Sequence, residues 1–436
     1  MRSALGSLLA IALLGLLPAG ATAETFTVNK RGDHVPGACT PDDCTLREAV
    51  EAAATPDNAH KIKLPSKKPY RLKRSSQLPG PDNAKGDLDL TTGAWNVTIV
   101  HPGPGRAKID ASEALDRVIE VDGNLILRKV VIRGGATGGQ DGGGILVDGL
   151  GSVVVSVRNS KLVGNDAGVG AGGGVAAADG ILSVDRRSVV SGNSAGDGGG
   201  VFVSDQVRLT LDRSTVTGNE ATGDGGGLWI GTAASEGTTR IERSTIAGNQ
   251  TVGDGGAIAT DADLLRIENS TLTKNRADGR GGGIYSAPDT LARLNGVTIA
   301  RNRADADDTA GADTGGGIFA DGGSDVVEIQ NSLVAKNRTT GGALNECRAP
   351  APVGVDSLGG NLITSISDCP FFDHPEDILN GAPKIAKLAA NGGPTQTIAL
   401  RAASPAIGEA DGPNPLERDQ RGRLRDADPD IGAYER

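Results

Sequence analysis

The stretch RSTVTGNEATGDGGGLWI, from Arg213 to Ile230, recurs along the chain and decides the fold. Seven copies carry an asparagine at one equivalent position: Asn165, Asn193, Asn219, Asn249, Asn275, Asn302 and Asn337. Successive asparagines lie 28, 26, 30, 26, 27 and 35 residues apart, and an eighth, earlier copy has Gly135 at this position. Self-similarity at such a period is typical of a stacked repeat protein in which each copy forms one structural unit.

Each copy alternates apolar and polar residues with a period of two, as the unit that contains Ile241, Ile246 and Ile258 shows. This alternation predicts short β-strands separated by turns, and no copy has a helical pattern long enough to form a helix. The copies hold too few leucines for leucine-rich repeats and are too short for propeller blades of about 40 residues. The sequence therefore predicts an all-β fold, a parallel β-helix with one coil per copy.

Stacking explains the two most regular columns of polar residues. Equivalent residues in successive coils lie about 4.8 Å apart, the ordinary spacing of paired strands. The asparagines then form a column whose amides can hydrogen-bond to one another and to the turn backbone. Five positions earlier, a second column contains Ser160, Ser188, Ser214, Ser244, Ser270 and Ser332, with Gly296 as the exception. We interpret both columns as structural.

Clusters of glycine follow each asparagine, for example GDGGG at 223–227. Glycine adopts positive φ freely and has no Cβ, so it suits a corner where neighbouring coils approach closely. A phosphate-binding loop would need a following Lys-Ser or Lys-Thr pair and a helix, and a dinucleotide site would need GxGxxG between a strand and a helix. Neither is present, so the glycines indicate corners.

The N-terminal residues differ from the repeat. Residues 1–23 combine Arg2, an apolar stretch and a small-residue cleavage site, which is typical of a cleaved signal peptide. No later segment has the run of apolar residues that a membrane-spanning helix needs. Thr45 and Glu48 form a capping box, which predicts a short helix over 45–54 lying on the first coil.

The sequence predicts four regions. They are the signal peptide at 1–23, an N-terminal cap with irregular coils at 24–90, the repeat β-helix at 91–346, and irregular C-terminal coils with a cap at 347–436. The last region is expected to cover the open end of the stack, because an uncovered sheet edge invites association.

Charge and cysteine content bound the partners and the compartment. The formal net charge is −10, and no run of lysine or arginine is long enough to follow a phosphate backbone, so we expect no nucleic-acid partner. The even number of cysteines predicts disulfides in an exported chain, although three pairings are possible. Disulfides between cysteines that are neighbours in sequence would crosslink each end of the chain. The spacing of the cysteines fits a zinc site poorly. The four are Cys39, Cys44, Cys347 and Cys369.

Motifs at both ends resemble those of known exported proteins. CTLREAVEAA from Cys44 is similar to the CSLREA motif that opens a group of exported bacterial proteins. NGGPTQTIAL from Asn391, SPAIG from Ser404, DQRGRLR from Asp419 and DIGAYE from Asp430 resemble the choice-of-anchor-like C-terminal region of the same group. The internal copies are similar to the repeats of polymorphic outer-membrane proteins. The resemblance implies a right-handed parallel β-helix that is secreted or associated with the cell surface or outer membrane, and it implies no reaction.

A column of aromatic residues is the first candidate binding surface. The residue directly after each glycine cluster is aliphatic and should point inward, so the next one points outward. Exposed rings on a rigid sheet can stack on sugar rings, which makes Phe202, Trp229, Tyr285 and Phe319 candidate ligand-binding residues. The alternative is that these rings pack on one another or are covered. The whole outward column reads Leu146, Ala176, Phe202, Trp229, Ala259, Tyr285 and Phe319.

Acidic residues form the candidate metal sites. Asp197, Asp224 and Asp254 precede the glycines of three consecutive coils, where Ca²⁺ would offset the repulsion between their charges. Aspartate is also a common turn residue before glycine. The expected function requires no cofactor.

The seventh copy inserts a loop that we interpret as a solvated bulge, with a carboxylate pair for glycoside hydrolysis as the alternative. The loop carries Asp305, Asp307, Asp308 and Asp313.

We expect an exported, non-enzymatic β-helix that binds extracellular glycans or another cell-surface component. The first alternative is a polysaccharide lyase or hydrolase, for which Arg213 and Arg243 are candidate bases at equivalent positions of neighbouring copies. The second alternative is a passive structural protein of the envelope. A C-terminal cluster of charges between Arg418 and Asp430 is interpreted as an ion-pair network, with a site for polyanionic sugar as the alternative.

Overall fold

The computed structural model describes residues 23–54, 59–74, 83–91, 96–149, 153–231, 239–262, 264–305, 314–322, 327–349, 354–367, 369 and 372–436. The expected signal peptide, apart from Ala23, lies outside these residues. So do Asp307, Asp308 and Asp313 of the acidic loop.

The described secondary structure comprises one α-helix, α1 (Leu46–Ala53), one 3₁₀ turn (Thr340–Gly342) and short strands. The first strands are β1 (Thr25–Thr27), β2 (Ala59–Lys63), β3 (Tyr70–Arg71), β4 (Leu88–Leu90), β5 (Asn96–Val100), β6 (Ala107–Asp110), β7 (Ile119–Val121), β8 (Asn124–Arg128), β9 (Val130–Arg133), β10 (Ile145–Val147), β11 (Val154–Arg158) and β12 (Lys161–Val163). Then follow β13 (Val175–Asp185), β14 (Val189–Ser191), β15 (Ser194–Ala195), β16 (Val201–Asp212), β17 (Thr215–Thr217), β18 (Glu220–Ala221), β19 (Leu228–Ile230), β20 (Thr239–Glu242), β21 (Thr245–Ala247), β22 (Gln250–Thr251), β23 (Ile258–Thr260), β24 (Leu264–Glu268), β25 (Thr271–Thr273) and β26 (Arg276–Ala277). The last strands are β27 (Ile284–Ser286), β28 (Leu291–Asn295), β29 (Thr298–Ala300), β30 (Ile318–Ala320), β31 (Val327–Gln330), β32 (Leu333–Ala335), β33 (Cys347–Arg348), β34 (Val355–Ser357), β35 (Leu362–Ile363), β36 (Ile378–Leu379), β37 (Ile385–Ala389) and β38 (Thr397–Leu400).

Three parallel sheets run along one axis and form a parallel β-helix, as the repeat predicts. The first sheet has 20 strands in two adjoining ladders, which the long strands β13 and β16 connect. The second sheet has 12 strands, from β3 to β36, and the third has the four short strands β15, β18, β22 and β26. Within the described residues, β37 and β38 form the one antiparallel strand pair.

The core lies between the sheets and consists of small and medium aliphatic side chains. The residues predicted to point inward directly after each glycine cluster are all fully buried, and successive members are register partners. They are Ile145, Val175, Val201, Leu228, Ile258, Ile284 and Ile318. Each coil thus packs against its neighbours in the same way, which explains how the chain buries a long core with few aromatic residues.

The predicted asparagine column is a continuous hydrogen-bonded ladder at the corner after the second sheet. The Nδ2 atom of each asparagine donates to the Oδ1 atom of the next at 2.9–3.0 Å. The backbone N–H donates to the same Oδ1 atom, so each carboxamide oxygen accepts two bonds. These buried amides satisfy one another, in keeping with a structural interpretation of the column.

The serine column also forms contacts between coils. The Oγ atom of Ser244 accepts from the backbone N–H of Ser214 at 3.2 Å, and that of Ser270 accepts from the N–H of Ser244 at 3.1 Å. Each hydroxyl donates to a nearby carbonyl, as Ser244 does to Glu242 at 2.7 Å. These bonds satisfy the backbone where the chain turns from the first sheet to the second.

The N-terminal cap has the predicted helix. Thr45 accepts from the N–H of Glu48 at 3.3 Å, and Glu48 accepts from the N–H of Thr45 at 2.7 Å, which completes the capping box. The apolar face of α1 is buried against the first coils. Both disulfides pair neighbours in sequence, Cys39 with Cys44 and Cys347 with Cys369, so each staples one end.

The C-terminal segment, for which the sequence predicts irregular coils and a cap, also contacts the side of the stack. After β36 the chain forms the β37–β38 hairpin and then returns along the outer face of the second sheet. There the side chain of Gln420 donates to the Ser244 carbonyl at 2.9 Å and accepts from the Thr271 hydroxyl at 2.6 Å. The Ala433 N–H donates to the Thr298 hydroxyl at 3.0 Å. Outward threonines on successive coils bind this segment because their hydroxyls are aligned by register.

Candidate functional site: a basic groove along one corner

Residues in the left-handed conformation form the corner between the first and second sheets. Arg213, for example, has φ 48° and lies between β16 and β17. This conformation is uncommon for residues other than glycine and asparagine, so basic residues at the corner are unusual. The column contains Lys129, Asn159, Arg187, Arg213, Arg243, Asn269, Gly296 and Asn331, with φ between 44° and 69°.

A cavity of about 510 Å³ opens at the N-terminal half of this corner. Strand register aligns its wall, because Lys63 pairs through Val100 with Arg128, and Arg128 pairs with Arg158. Lys61 lies two residues before Lys63 on the same face of β2, since strand side chains alternate. The cavity is lined by Lys61, Lys63, Val100, His101, Pro102, Arg128, Lys129, Arg158, Asn159 and Arg186.

A second cavity, of about 500 Å³, continues along the corner. Arg186 lines both cavities, so they form one groove. The C-terminal segment supplies the far wall, and the Gln420 contacts with the second sheet hold this wall in place. The second cavity is lined by Arg186, Arg187, Arg213, Arg243, Pro394, Arg418, Gln420, Arg421 and Gly422.

We call this surface the basic groove, and its lining residues include no carboxylate. Carboxylates next to the groove pair with part of its cations. Asp212 accepts from Arg213 at 2.7 Å and lies 3.0 Å from Arg243, and the bond to Asp212 raises the pKa of Arg213. Asp185 lies 3.6 Å from Arg158. The cations of the groove are Lys61, Lys63, Arg128, Lys129, Arg158, Arg186, Arg187, Arg213, Arg243, Arg418 and Arg421.

Several groove cations have no counter-ion. Among the residues that the structure describes, Lys61, Lys63, Arg128 and Arg187 form no ion pair. Lys61, Arg128 and Arg187 are exposed, and Lys63 is half-buried. The N-terminal half of the groove therefore presents an unbalanced positive potential, although the chain as a whole is acidic.

The C-terminal charges form an ion-pair network, which lies on the side of the stack. The buried guanidinium of Arg421 binds Asp419 at 2.7 Å and stacks on the ring of Tyr434 at 3.8 Å. Arg425 binds Glu435 at 3.0 Å, and both side chains are buried. The network shapes the segment that forms the far wall of the groove.

The rings of the aromatic column stack in two pairs. The rings of Phe202 and Trp229 stack at 4.7 Å with an interplanar angle of 12°, so their faces lie against each other along the axis. Phe319 is only 2% exposed and stacks on Tyr285, and the Arg280 guanidinium lies 4.9 Å from both ring centroids. The geometry favours the packing interpretation, because the rings stack in pairs and each covers one face of its neighbour.

The aspartate column has a local role in the turns. The Oδ1 atom of Asp197 accepts from the N–H of Asp224 at 2.7 Å, and that of Asp224 accepts from the N–H of Asp254 at 2.7 Å. Asp254 in turn binds the Arg280 guanidinium at 2.8 Å. Burial raises the pKa of Asp224, as do Asp254 and Asp197. In the described part of the chain these three carboxylates do not converge closely enough to share an ion.

Comparison with known proteins supports the fold. A family model described as the right-handed beta helix region matches residues 179–349. Together with the parallel sheets, this match decides the architecture. The chain is a right-handed parallel β-helix. A comparison with curated proteins finds no match.

The sequence analysis did not predict the groove of this β-helix, although the repeat contains the pattern that forms its C-terminal half. Arg187, Arg213 and Arg243 each lie six positions before a ladder asparagine and directly before a ladder serine. Aligning that position would have revealed the C-terminal half of the groove. Lys61, Lys63 and Arg128 belong to the irregular early coils, so only the strand register brings them into line.

Among the described residues, no helix is both long and apolar enough to cross a bilayer.

Proposed function

We propose that this β-helix is an exported, non-enzymatic binding protein that holds an acidic polysaccharide along the basic groove. The observation that carries the proposal is the groove itself, where two cavities share Arg186 and form one basic channel across successive coils. The resemblance to exported bacterial proteins supports a location outside the cell or at its surface. Residues 1–23 would direct the export.

The shape of the groove suits a linear polymer. Its cations repeat along the β-helix axis with the strand spacing of about 4.8 Å, which is comparable to the length of one sugar residue. A chain that lies along the corner therefore meets a new cation at nearly every residue. Rigid coils hold these cations in place, so binding requires little ordering of the protein.

The carboxylates beside the groove favour binding over hydrolysis. Glycoside hydrolysis needs one protonated and one ionised carboxyl group on either side of the scissile bond. Asp212 lies instead within 3.0 Å of two arginines, and Asp185 within 3.7 Å of two others, Arg158 and Arg186. The close ion pairs make Asp212 a counter-ion, whereas burial raises the pKa of Asp185 although two arginines lie near it.

The test combines binding and polymer length. The double variant Lys63→Glu/Arg128→Glu reverses two charges in the first cavity, and the control Arg276→Glu reverses one charge on the third sheet, outside the groove. Wild-type protein should co-sediment with an acidic polysaccharide and leave its length unchanged. The double variant should bind at least tenfold more weakly, which corresponds to about 1.4 kcal/mol, and the control should bind normally. Shortening of the polymer would instead establish an enzyme, and equal binding by the double variant would exclude the groove.

A further inference from the structure

We propose that Asp87, Asp89 and Glu120 form a Ca²⁺ site at the N-terminal end of the first sheet, a site that is separate from the basic groove. Asp87 directly precedes β4, Asp89 lies within it, and Glu120 lies within β7. Asp89 and Glu120 are register partners, so both project from the same face of neighbouring strands. One carboxylate oxygen from each of the three residues lies within 4.8 Å of the other two.

A buried oxygen without a donor points to a missing ligand. Asp87 is only 6% exposed, and its Oδ2 atom has no hydrogen-bond partner among the described residues. Nη1 of Arg117 lies 3.7 Å from this oxygen, within ion-pair range but beyond hydrogen-bond distance. A buried carboxylate oxygen that accepts no hydrogen bond is costly, and a metal ion would coordinate it.

The charge balance supports a divalent ion. Three carboxyl groups lie close together with Asp116 nearby, and the guanidinium of Arg117 faces both Asp87 and Glu120. A divalent cation would offset the negative charge of these neighbouring groups. Without it the negative charge stays crowded: burial, followed by the charges of Asp89 and Asp116, raises the pKa of Asp87 to about 8.

The surroundings hold the carboxylates in place. The buried Arg47 of α1 donates to the carbonyls of Gly86 at 2.6 Å and Asp87 at 2.8 Å, which ties the start of β4 to the N-terminal helix. The Arg117 guanidinium also donates to Gln140 at 3.1 Å, so its position is fixed from the next coil. A preformed site of this kind loses little entropy when the ion binds.

The donor set selects the kind of ion. All three ligands are carboxylates, which suit hard cations, whereas zinc sites usually include histidine or cysteine. Ca²⁺ accepts carboxylates in one-oxygen or two-oxygen mode and tolerates irregular geometry, with water completing the shell. Mg²⁺ needs a near-ideal octahedron with short bonds, which a pair of adjacent strands provides less readily.

Equilibrium dialysis of chelator-treated protein with Ca²⁺ tests the site. We expect one ion per chain with a Kd on the order of 10⁻⁴ M or lower, and a rise in Tm at saturating Ca²⁺. Glu120→Gln and, separately, Asp89→Asn should weaken binding at least tenfold and abolish the rise in Tm. The control is Glu113→Gln, because Glu113 is a half-exposed carboxylate that pairs with Lys73 at 3.3 Å.

Circular dichroism would verify that each variant is folded. The proposal is overturned if folded wild-type protein binds no Ca²⁺ at millimolar concentration, which requires no variant at all. It is also overturned if the two folded variants bind like wild type, or if Mg²⁺ binds more tightly than Ca²⁺. None of these results bears on polysaccharide binding, because the basic groove shares no residue with this cluster.

Discussion

The side-chain amide of Asn337 donates a hydrogen bond of 2.7 Å to a carboxylate oxygen of Glu346, and this contact ends the asparagine ladder. In every earlier coil of the ladder the acceptor is the amide oxygen of the next asparagine. Glu346 is 1% exposed and accepts as well from the N–H groups of Lys336 at 2.7 Å and Asn337 at 3.1 Å, and from the Thr364 hydroxyl. The Asn337 amide and the nearby N–H and O–H groups all donate, so the end of the ladder needs a side chain that only accepts, as a carboxylate does.

Replacing Glu346 by glutamine should therefore destabilise the C-terminal coils. The new NH₂ group would face N–H and O–H donors, and a buried donor without an acceptor costs about 1–3 kcal/mol. We expect Glu346→Gln to lower the free energy of unfolding by about 2–3 kcal/mol, measured by denaturant titration. The exposed Glu409→Gln is the control and should change it by less than about 0.5 kcal/mol. An unchanged midpoint in Glu346→Gln would mean that the ladder needs no carboxylate at its end.

The capping box gives a prediction for acid pH. Burial alone would raise the pKa of Glu48, but hydrogen bonds from the N–H groups of Thr45 and Gly37 outweigh this effect and hold it below its ordinary value of 4.5. The unfolded chain then takes up this proton at a higher pH than the native protein, so the stability due to Glu48 is present above pH 4.5 and is lost as the pH falls through the lowered pKa.

Thermal unfolding of wild type and Glu48→Gln between pH 3 and pH 7 measures this contribution. The difference in Tm between the two proteins should be large at pH 6 and should shrink towards pH 3. The exposed Glu220→Gln should show no such trend. A difference in Tm that stays constant with pH would show that the charge of Glu48 adds nothing.

Gln420 joins the C-terminal segment to the second sheet and thereby builds the far wall of the groove. Its side chain is fully buried and bonds to Ser244, Thr245 and Thr271 of the stack. Gln420→Ala leaves these partners unsatisfied and should cost about 2–4 kcal/mol of unfolding free energy. It should also weaken binding of the acidic polymer, because the exposed Arg418 on the far wall loses its support. Gln206→Ala, at an exposed position, should change neither quantity, and normal binding by Gln420→Ala would separate the segment from the groove.

The stacked ring of Trp229 should matter for stability and not for ligand binding. Trp229→Ala removes the face-to-face contact with Phe202, which we expect to cost about 1–3 kcal/mol. Its affinity for the polymer should equal that of wild type, since Trp229 is not among the residues that line the groove. Loss of binding in a folded Trp229→Ala protein would restore the aromatic column as the ligand site.

The repeat was predictable because its physics is local and periodic. A constant spacing of asparagines, an alternating strand pattern and glycine at each corner agree on one architecture, and the capping box identifies α1 without further help. The disulfide pairing of Cys39 with Cys44 was one of three possibilities, and only the fold selects it.

The candidate sites were harder to predict because they depend on side-chain placement between coils. The alternation rule correctly assigns Trp229 to the outer face, but it does not show that a ring one coil away covers its face. The aspartates before the glycines look like ligands in sequence, yet each one accepts from the backbone of the next coil. Asp87 and Glu120 are distant in sequence, and only strand pairing brings them together.

The most direct test of the proposed function changes the charge of the ligand and nothing in the protein. One acidic polysaccharide would be compared with its carboxyl-reduced, neutral derivative of the same length, by titration calorimetry against wild-type protein. We predict binding of the acidic form that weakens with salt, because the groove acts through unpaired lysines and arginines, and at least tenfold weaker binding of the neutral form. Equal affinity for the two forms would contradict the account, since the positive charge of the groove would then have no part in recognition.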